Sequence, residues 1–185
     1  LVRAWGETFG VDFVLSNCSN NYGPYQYPEK LIPLIIQRAL CEDPIPVYGR
    51  GENIRDWLFV DDHARALVLI MSQGESGRTY NVGGDSERTN IAVGEELCRV
   101  LDEICPRQSK SPYSDLIEFT SDRPGHDFRY AIDASRIRTE LGWRPQQSFE
   151  TGLRQTVKWY LTNPDWVSTV GGLRAAGERR GLGAK

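Results

Sequence analysis

Apolar strand-length runs and helical stripes alternate along this chain, and glycine, proline or asparagine punctuates each change. Leu1, Trp5 and Phe9 stand at i, i+4 and i+8, one helical stripe that Gly10 stops. Phe13-Val14-Leu15 follows as a buried strand and gives way to a polar loop over 16–24. Helix, strand, then a polar loop at the strand's carboxyl end is one step of an open α/β sheet, and ligands bind at such ends. The step repeats: a helix over 29–40, a strand over 45–48, the turn Gly49-Arg50-Gly51-Glu52 and a strand over 55–60. Asp61 then reads as the N-cap of a helix over 62–71. A strand over 79–82 ends at Gly83-Gly84, Asn90 reads as the cap of a helix over 91–105, and 106–114 is loop. Short strands over 117–120 and 129–132 flank a loop at 122–127. Asp133 caps a helix that Gly142 ends, and Ser148 caps another over 149–161 that Asn163-Pro164 stops. The alternation predicts a mixed α/β protein.

Composition removes several function classes. Twenty-two Lys and Arg against 25 Asp and Glu leave a net charge of -3, without the clustered base of a nucleic-acid footprint. Hydrophobic residues at 39%, with five Trp and eight Tyr, supply a core. The longest apolar run, 31–36, contains Pro33 and falls far short of the roughly 18 residues of a membrane span. The opening Leu1-Val2-Arg3-Ala4-Trp5 has no secretory pattern. Cys98 and Cys105 are two helical turns apart, about 10.5 Å of rise and too far for a disulfide. No C-x-x-C occurs among Cys18, Cys41, Cys98 and Cys105, and neither His63 nor His126 has ligand-spaced neighbours, so no metal site is expected. The thiols read as reduced, in a cytoplasmic protein. The segment 171–185, rich in Gly and Arg, has little to bury and is expected to fray.

Three segments carry candidate chemistry. Asn17, Asn20 and Asn21 concentrate amides after a strand; amides donate and accept without titrating, which suits sugar hydroxyls, phosphates or a cofactor carboxamide. Ordinary turn chemistry explains the same composition. Arg55 opens a strand beyond a glycine turn, where its fork can reach a phosphate; the alternative is an exposed pair with Asp56, worth little. Asp122, Arg123, His126 and Asp127 surround Pro124-Gly125, either as a functional loop or as a plain turn. His63, in the first turn of its helix, fits a structural hydrogen bond better than catalysis.

Taken together the wording is specific. Asn17-Cys18-Ser19-Asn20-Asn21-Tyr22-Gly23-Pro24 precedes Pro28-Glu29-Lys30-Leu31-Ile32-Pro33; Arg55-Asp56-Trp57 precedes Asp62-His63-Ala64-Arg65-Ala66; Tyr80-Asn81-Val82-Gly83-Gly84 and Asp122-Arg123-Pro124-Gly125-His126-Asp127 follow. With Arg129-Tyr130-Ala131-Ile132-Asp133 and Leu141-Gly142-Trp143, residues 1–170 resemble the dTDP-glucose 4,6-dehydratases, nucleotide-sugar lyases of the extended short-chain dehydrogenase class. The resemblance implies the remnant of a Rossmann-type parallel sheet over 1–27 and 55–84, and a small mixed α/β substrate domain over 28–54 and 85–170. It implies NAD as cofactor, dTDP-glucose as substrate and a homodimeric parent. The family's reaction removes hydride from C4, eliminates water across C5–C6 and returns hydride to C6. The family's dinucleotide glycine loop, Tyr-x-x-x-Lys pair and acid–base pair have no match here, so the chain reads as a truncated enzyme without catalytic residues. Asn21 matches a cofactor position. Asn20, Lys30, Leu31, Pro46, Val47, Tyr48, Arg55, Asn90, Asp122, Arg123, Pro124, Gly125 and His126 match substrate positions. A sister epimerase, or a noncatalytic sugar-nucleotide-binding module, are the alternative readings.

Overall fold

The computed structural model describes residues 1–122 and 124–170. In chain order its elements are α1 (Val2–Phe9), β1 (Leu15–Cys18), β2 (Asn20–Tyr22), α2 (Leu31–Leu40), β3 (Ile45–Tyr48), β4 (Ile54–Phe59), α3 (Val60–Gln73) and β5 (Thr79–Val82). Then come β6 (Glu87–Thr89), α4 (Asn90–Ile104), a 3-10 turn (Tyr113–Leu116), β7 (Ile117–Thr120), β8 (Arg129–Tyr130), α5 (Ser135–Leu141), α6 (Phe149–Thr162) and α7 (Pro164–Val170). Among the described residues they fall into two compact units: 1–22 with 54–88 and 128–152, and 23–53 with 89–127 and 153–170. Among the described residues no helix is long and apolar enough to cross a membrane.

In the first unit β1 lies parallel to β5, with Leu15 opposite Thr79 and Cys18 opposite Val82. β4 is the centre of a second sheet, flanked by β2 and β6 and joined at its start by β8. Asn20, Asn21 and Tyr22 face Trp57, Leu58 and Phe59 in parallel register. The strand expected over 13–15 therefore begins at Leu15, and most of the expected polar loop is strand. A ladder is made by backbone groups, so Asn17 and Cys18 pair with β5 whatever their side chains. Phe13 instead fills the space over α1, where a Cβ on Gly6 would lie 2.2 Å from its ring.

The stripe of α1 is helical as expected, and Gly10 ends it at φ 65, but its residues are not buried: Trp5 and Phe9 are exposed. The core of this unit sits between β5, α3 and α5, built from Leu58, Ala66, Ile70, Val82, Ile137 and Trp143. Helix α3 begins at Val60, and Asp61 is not its cap. Asp62 is fully buried, and its carboxylate accepts the Gln146 and Gln147 amides at 2.9 and 3.0 Å while pairing with Arg65.

In the second unit β3 and β7 pair in parallel, Ile45 opposite Ile117 and Tyr48 opposite Thr120. Helices α2 and α4 pack together and bury Ile32, Ile35, Ile36, Val93, Leu97 and Leu101. Pro33 sits in the first turn of α2, where no helical partner for an N–H is required. Helix α4 starts at Asn90, and Thr89 is its cap, Oγ1 accepting the Ala92 amide at 3.3 Å. Asn163-Pro164 ends α6 as expected but also starts α7, because proline is preorganised for a first helical position.

Candidate functional site

The first unit brings together Asn20, Asn21 and Arg55. Side chains alternate along a strand, so Arg55 and Trp57 share one face of β4 and Asp56 takes the other. Asn20 is the register partner of Trp57 and lies on the Arg55 face; Asn21 pairs with Leu58 and lies on the opposite face. Arg55 is 8% exposed and its Nη1 donates to the Ile54 carbonyl at 2.7 Å. The exposed Arg55–Asp56 pair does not form: Asp56 is 2% exposed, and its oxygens accept the Gly84 and Ser86 amides at 2.9 and 2.8 Å. Strand periodicity was the sequence signal that separates these neighbours. Asn21 Nδ2 donates to Cys18 Sγ at 3.2 Å and to the Ser19 carbonyl at 3.1 Å, which fixes its carboxamide at the strand end. Beside Trp57 a cavity of about 200 Å³ is lined by Gly84, Ser86, Arg88, Gln147 and Phe149. The Trp57 indole N–H is buried there without a hydrogen-bond partner among the described residues.

The second unit gathers a different group. The β3–β7 register carries Tyr48 to Thr120, and the Gly49 amide donates to the Thr120 carbonyl at 2.8 Å. This brings the 122–126 loop over the end of β3. His126 Nδ1 lies 2.7 Å from Asp122 Oδ1, and the His126 ring stands edge-on to Tyr48 at 6.4 Å. Pro124 and Gly125 are exposed, Gly125 with φ 68; Arg123 lies outside the described residues, as does the expected tail over 171–185. Pro46 and Tyr48 are half-buried and alternate with Val47, whose side chain enters the core at 3% exposure and leaves only its backbone for a ligand. Gly51, at φ 70, lets the turn press against α4; a Cβ there would lie 2.8 Å from both Ile91 and Val47. The Ile91 amide donates to the Gly51 carbonyl at 3.0 Å, and Asn90 Oδ1 at this helix start is buried without a partner among the described residues. Lys30 and Leu31 occupy the start of α2, Lys30 paired with Glu29 at 3.0 Å and well exposed.

Three features escaped sequence reasoning: the buried carboxylates of Asp56 and Asp62, and an aromatic group joining Tyr25 to α6 and α7. The first two are set by partners distant in sequence. The helical continuation past Pro164 was the missing clue to the third.

Residues 1–156 match the family model described as GDP-mannose 4,6 dehydratase. A dTDP-glucose 4,6-dehydratase of Escherichia coli is 55% identical over 170 residues, covering 92% of this chain and 46% of the relative. The crystal structure of dTDP-glucose 4,6-dehydratase from Bacillus anthracis in complex with NAD superposes with a TM-score of 0.81 at 42% identity, covering 91% of this chain and 50% of that one. A dTDP-glucose 4,6-dehydratase from Streptomyces venezuelae with NAD and TYD bound gives 0.79 at 41% identity, covering 91% and 49%. The chain thus spans about half the length of the curated relatives it matches, and the parallel sheets of its first unit are pieces of a Rossmann-type fold.

Proposed function

The chain belongs to the GDP-mannose 4,6-dehydratase family, and from that membership we propose that it is the C-terminal part of an NAD-dependent dTDP-glucose 4,6-dehydratase, supplying mainly sugar-nucleotide binding. The observation that carries the proposal is the β2–β4 ladder: it sets Arg55 and Asn20 on one face of the sheet and Asn21 on the other, which supports separate substrate and cofactor roles.

Arg55 is a permanent cation held in a largely desolvated place, so its fork is suited to a diphosphate oxygen, where charge-assisted bonds are short and strong. In the second unit Asn90 offers a buried amide oxygen at a helix start, and the Tyr48 ring offers a flat face for a base, with His126 held beside it by Asp122. Lys30, Leu31, Pro46, the Val47 backbone and the 122–126 loop, Arg123 included, complete the proposed substrate set. The Asn21 carboxamide, already oriented by Cys18 and Ser19, fits a neutral polar contact to NAD. NAD supplies the hydride acceptor and donor of the overall elimination. This chain's own residues bind and orient; proton transfer falls to residues outside it. We further propose a homodimeric, cytoplasmic parent.

The test is turnover by the full-length parent. Conversion of dTDP-glucose to the 4-keto-6-deoxy sugar supports the proposal; turnover of UDP-sugars alone overturns it in favour of an epimerase. The 185-residue chain by itself is expected to yield no product.

A further inference from the structure

Tyr25 adopts φ 62, a left-handed conformation that favours glycine and that a bulky residue enters only when its surroundings impose it. Its ring meets two others: Trp159 of α6 at 4.6 Å between centroids, and Trp166 of α7 at 5.6 Å and close to edge-on. Those indoles contact each other at 5.1 Å, so Tyr25 rests on a preformed aromatic seat. One residue on, the Gln26 carbonyl accepts the hydroxyl of the buried Tyr160. The segment then turns through Lys30 N–H to the Tyr27 carbonyl at 3.2 Å, and Lys30 opens α2 by accepting the Leu34 amide at 2.9 Å. The Tyr25 ring is therefore tied to α6 and α7 and the Gln26 carbonyl to α6, a few residues before Lys30 and Leu31.

We infer that Tyr25 is a positioning residue: its ring, seated on Trp159 and Trp166, holds residues 23–30 so that the first turn of α2 presents Lys30 and Leu31 to the nucleotide sugar. This rests on the substrate reading above. Tyr25 is 67% exposed, so replacing it opens no core cavity and the variants fold. The contacts of one ring with two indoles correspond to an effect of about tenfold.

The experiment compares Tyr25→Ala, Tyr25→Gly and Tyr25→Phe in the full-length parent, below the melting temperature of all three. Hydrogen exchange across 23–30 and calorimetric affinity for dTDP are the readouts. Ala and Gly are expected to speed exchange in that segment and to weaken dTDP about tenfold, while Phe, which keeps the ring, matches wild type in both. Glycine relieves the positive φ, so its failure to restore either readout assigns the effect to the ring. Wild-type exchange in the Ala and Gly variants overturns the clamp. Faster exchange with wild-type affinity overturns the positioning role and leaves the ring merely structural. A wild-type parent that does not bind dTDP overturns the substrate reading itself, and the positioning role with it, a result separate from either variant outcome.

Discussion

Asp62→Ala isolates what a buried carboxylate contributes to this fold. Asp62 is inaccessible to solvent, and its oxygens accept two consecutive backbone amides, Gln146 at 2.9 Å and Gln147 at 3.0 Å, besides pairing with Arg65. Removing the carboxylate leaves two amides without an acceptor, each costing about 1–3 kcal/mol. The Arg65 side chain is 40% exposed, so water replaces most of what it loses, and that pair adds well under ~1 kcal/mol. Relief from burying a charge offsets part of the loss. A net destabilisation of about 3–4 kcal/mol follows, most of it from the two amides left unpaired. Asp62→Asn keeps one acceptor but turns an NH2 toward the other amide, and about half that loss is expected. Urea midpoints of the full-length parent and exchange rates of the Gln146 and Gln147 amides measure both. An Ala variant within about 0.5 kcal/mol of wild type, with both amides still protected, refutes the reasoning.

Arg55→Ala is expected to weaken dTDP about 10- to 100-fold, and Arg55→Lys to recover only part, because a point charge lacks the planar fork; equal calorimetric affinities would remove Arg55 from the site. Burial lowers the His63 imidazole from its ordinary 6.5, so below that pH the unfolded chain takes up the proton before the folded protein does. Stability is therefore expected to fall as pH drops through 6.5 toward the lower folded value, and His63→Gln should flatten that limb of a melting-temperature profile; parallel profiles would contradict it. Gly84→Ala would place a Cβ 1.9 Å from the Trp57 carbonyl oxygen, and a loss of more than about 2 kcal/mol is expected; an unchanged melting temperature would show that the loop yields freely.

The sequence showed where backbone and side chains agree. The strand Thr79–Val82 and the strand Ile45–Tyr48 keep the expected bounds, since their alternating burial coincides with apolar residues. It misled at 16–22, where a polar run is strand because two neighbouring ladders satisfy its backbone, and hydropathy does not register that. Asp61 and Asp62 are equivalent as helix-start signals; only the return of the chain at Gln146 decides which is buried. Of the candidate residues, Arg55 reads as strand and stands on one, while Asn20 and Asn21 read as loop and stand in β2. Only the β2–β4 ladder, which the sequence did not reveal, sorts Asn20 and Asn21 by face.

Arg55-Asp56-Trp57 and Gly83-Gly84, distant in sequence, meet in the fold. Asp56 Oδ2 accepts the Gly84 amide and Oδ1 the Ser86 amide, while the missing Cβ of Gly84 admits the Trp57 carbonyl. The two motifs are one object, a strand and the loop pinned across it, whose other face carries the buried Arg55 and Trp57. Gly83 completes it: a Cβ there would come within 2.9 Å of Asp56 Oδ2 and 2.8 Å of Ile132. Asp56→Asn should therefore act on the loop before anything else. One amide keeps its acceptor and the other faces an NH2, for a loss of about 1–3 kcal/mol. Hydrogen exchange should quicken at Gly84 or Ser86, at whichever amide the carboxamide oxygen abandons. If both amides keep wild-type protection, Asp56 does not pin the loop.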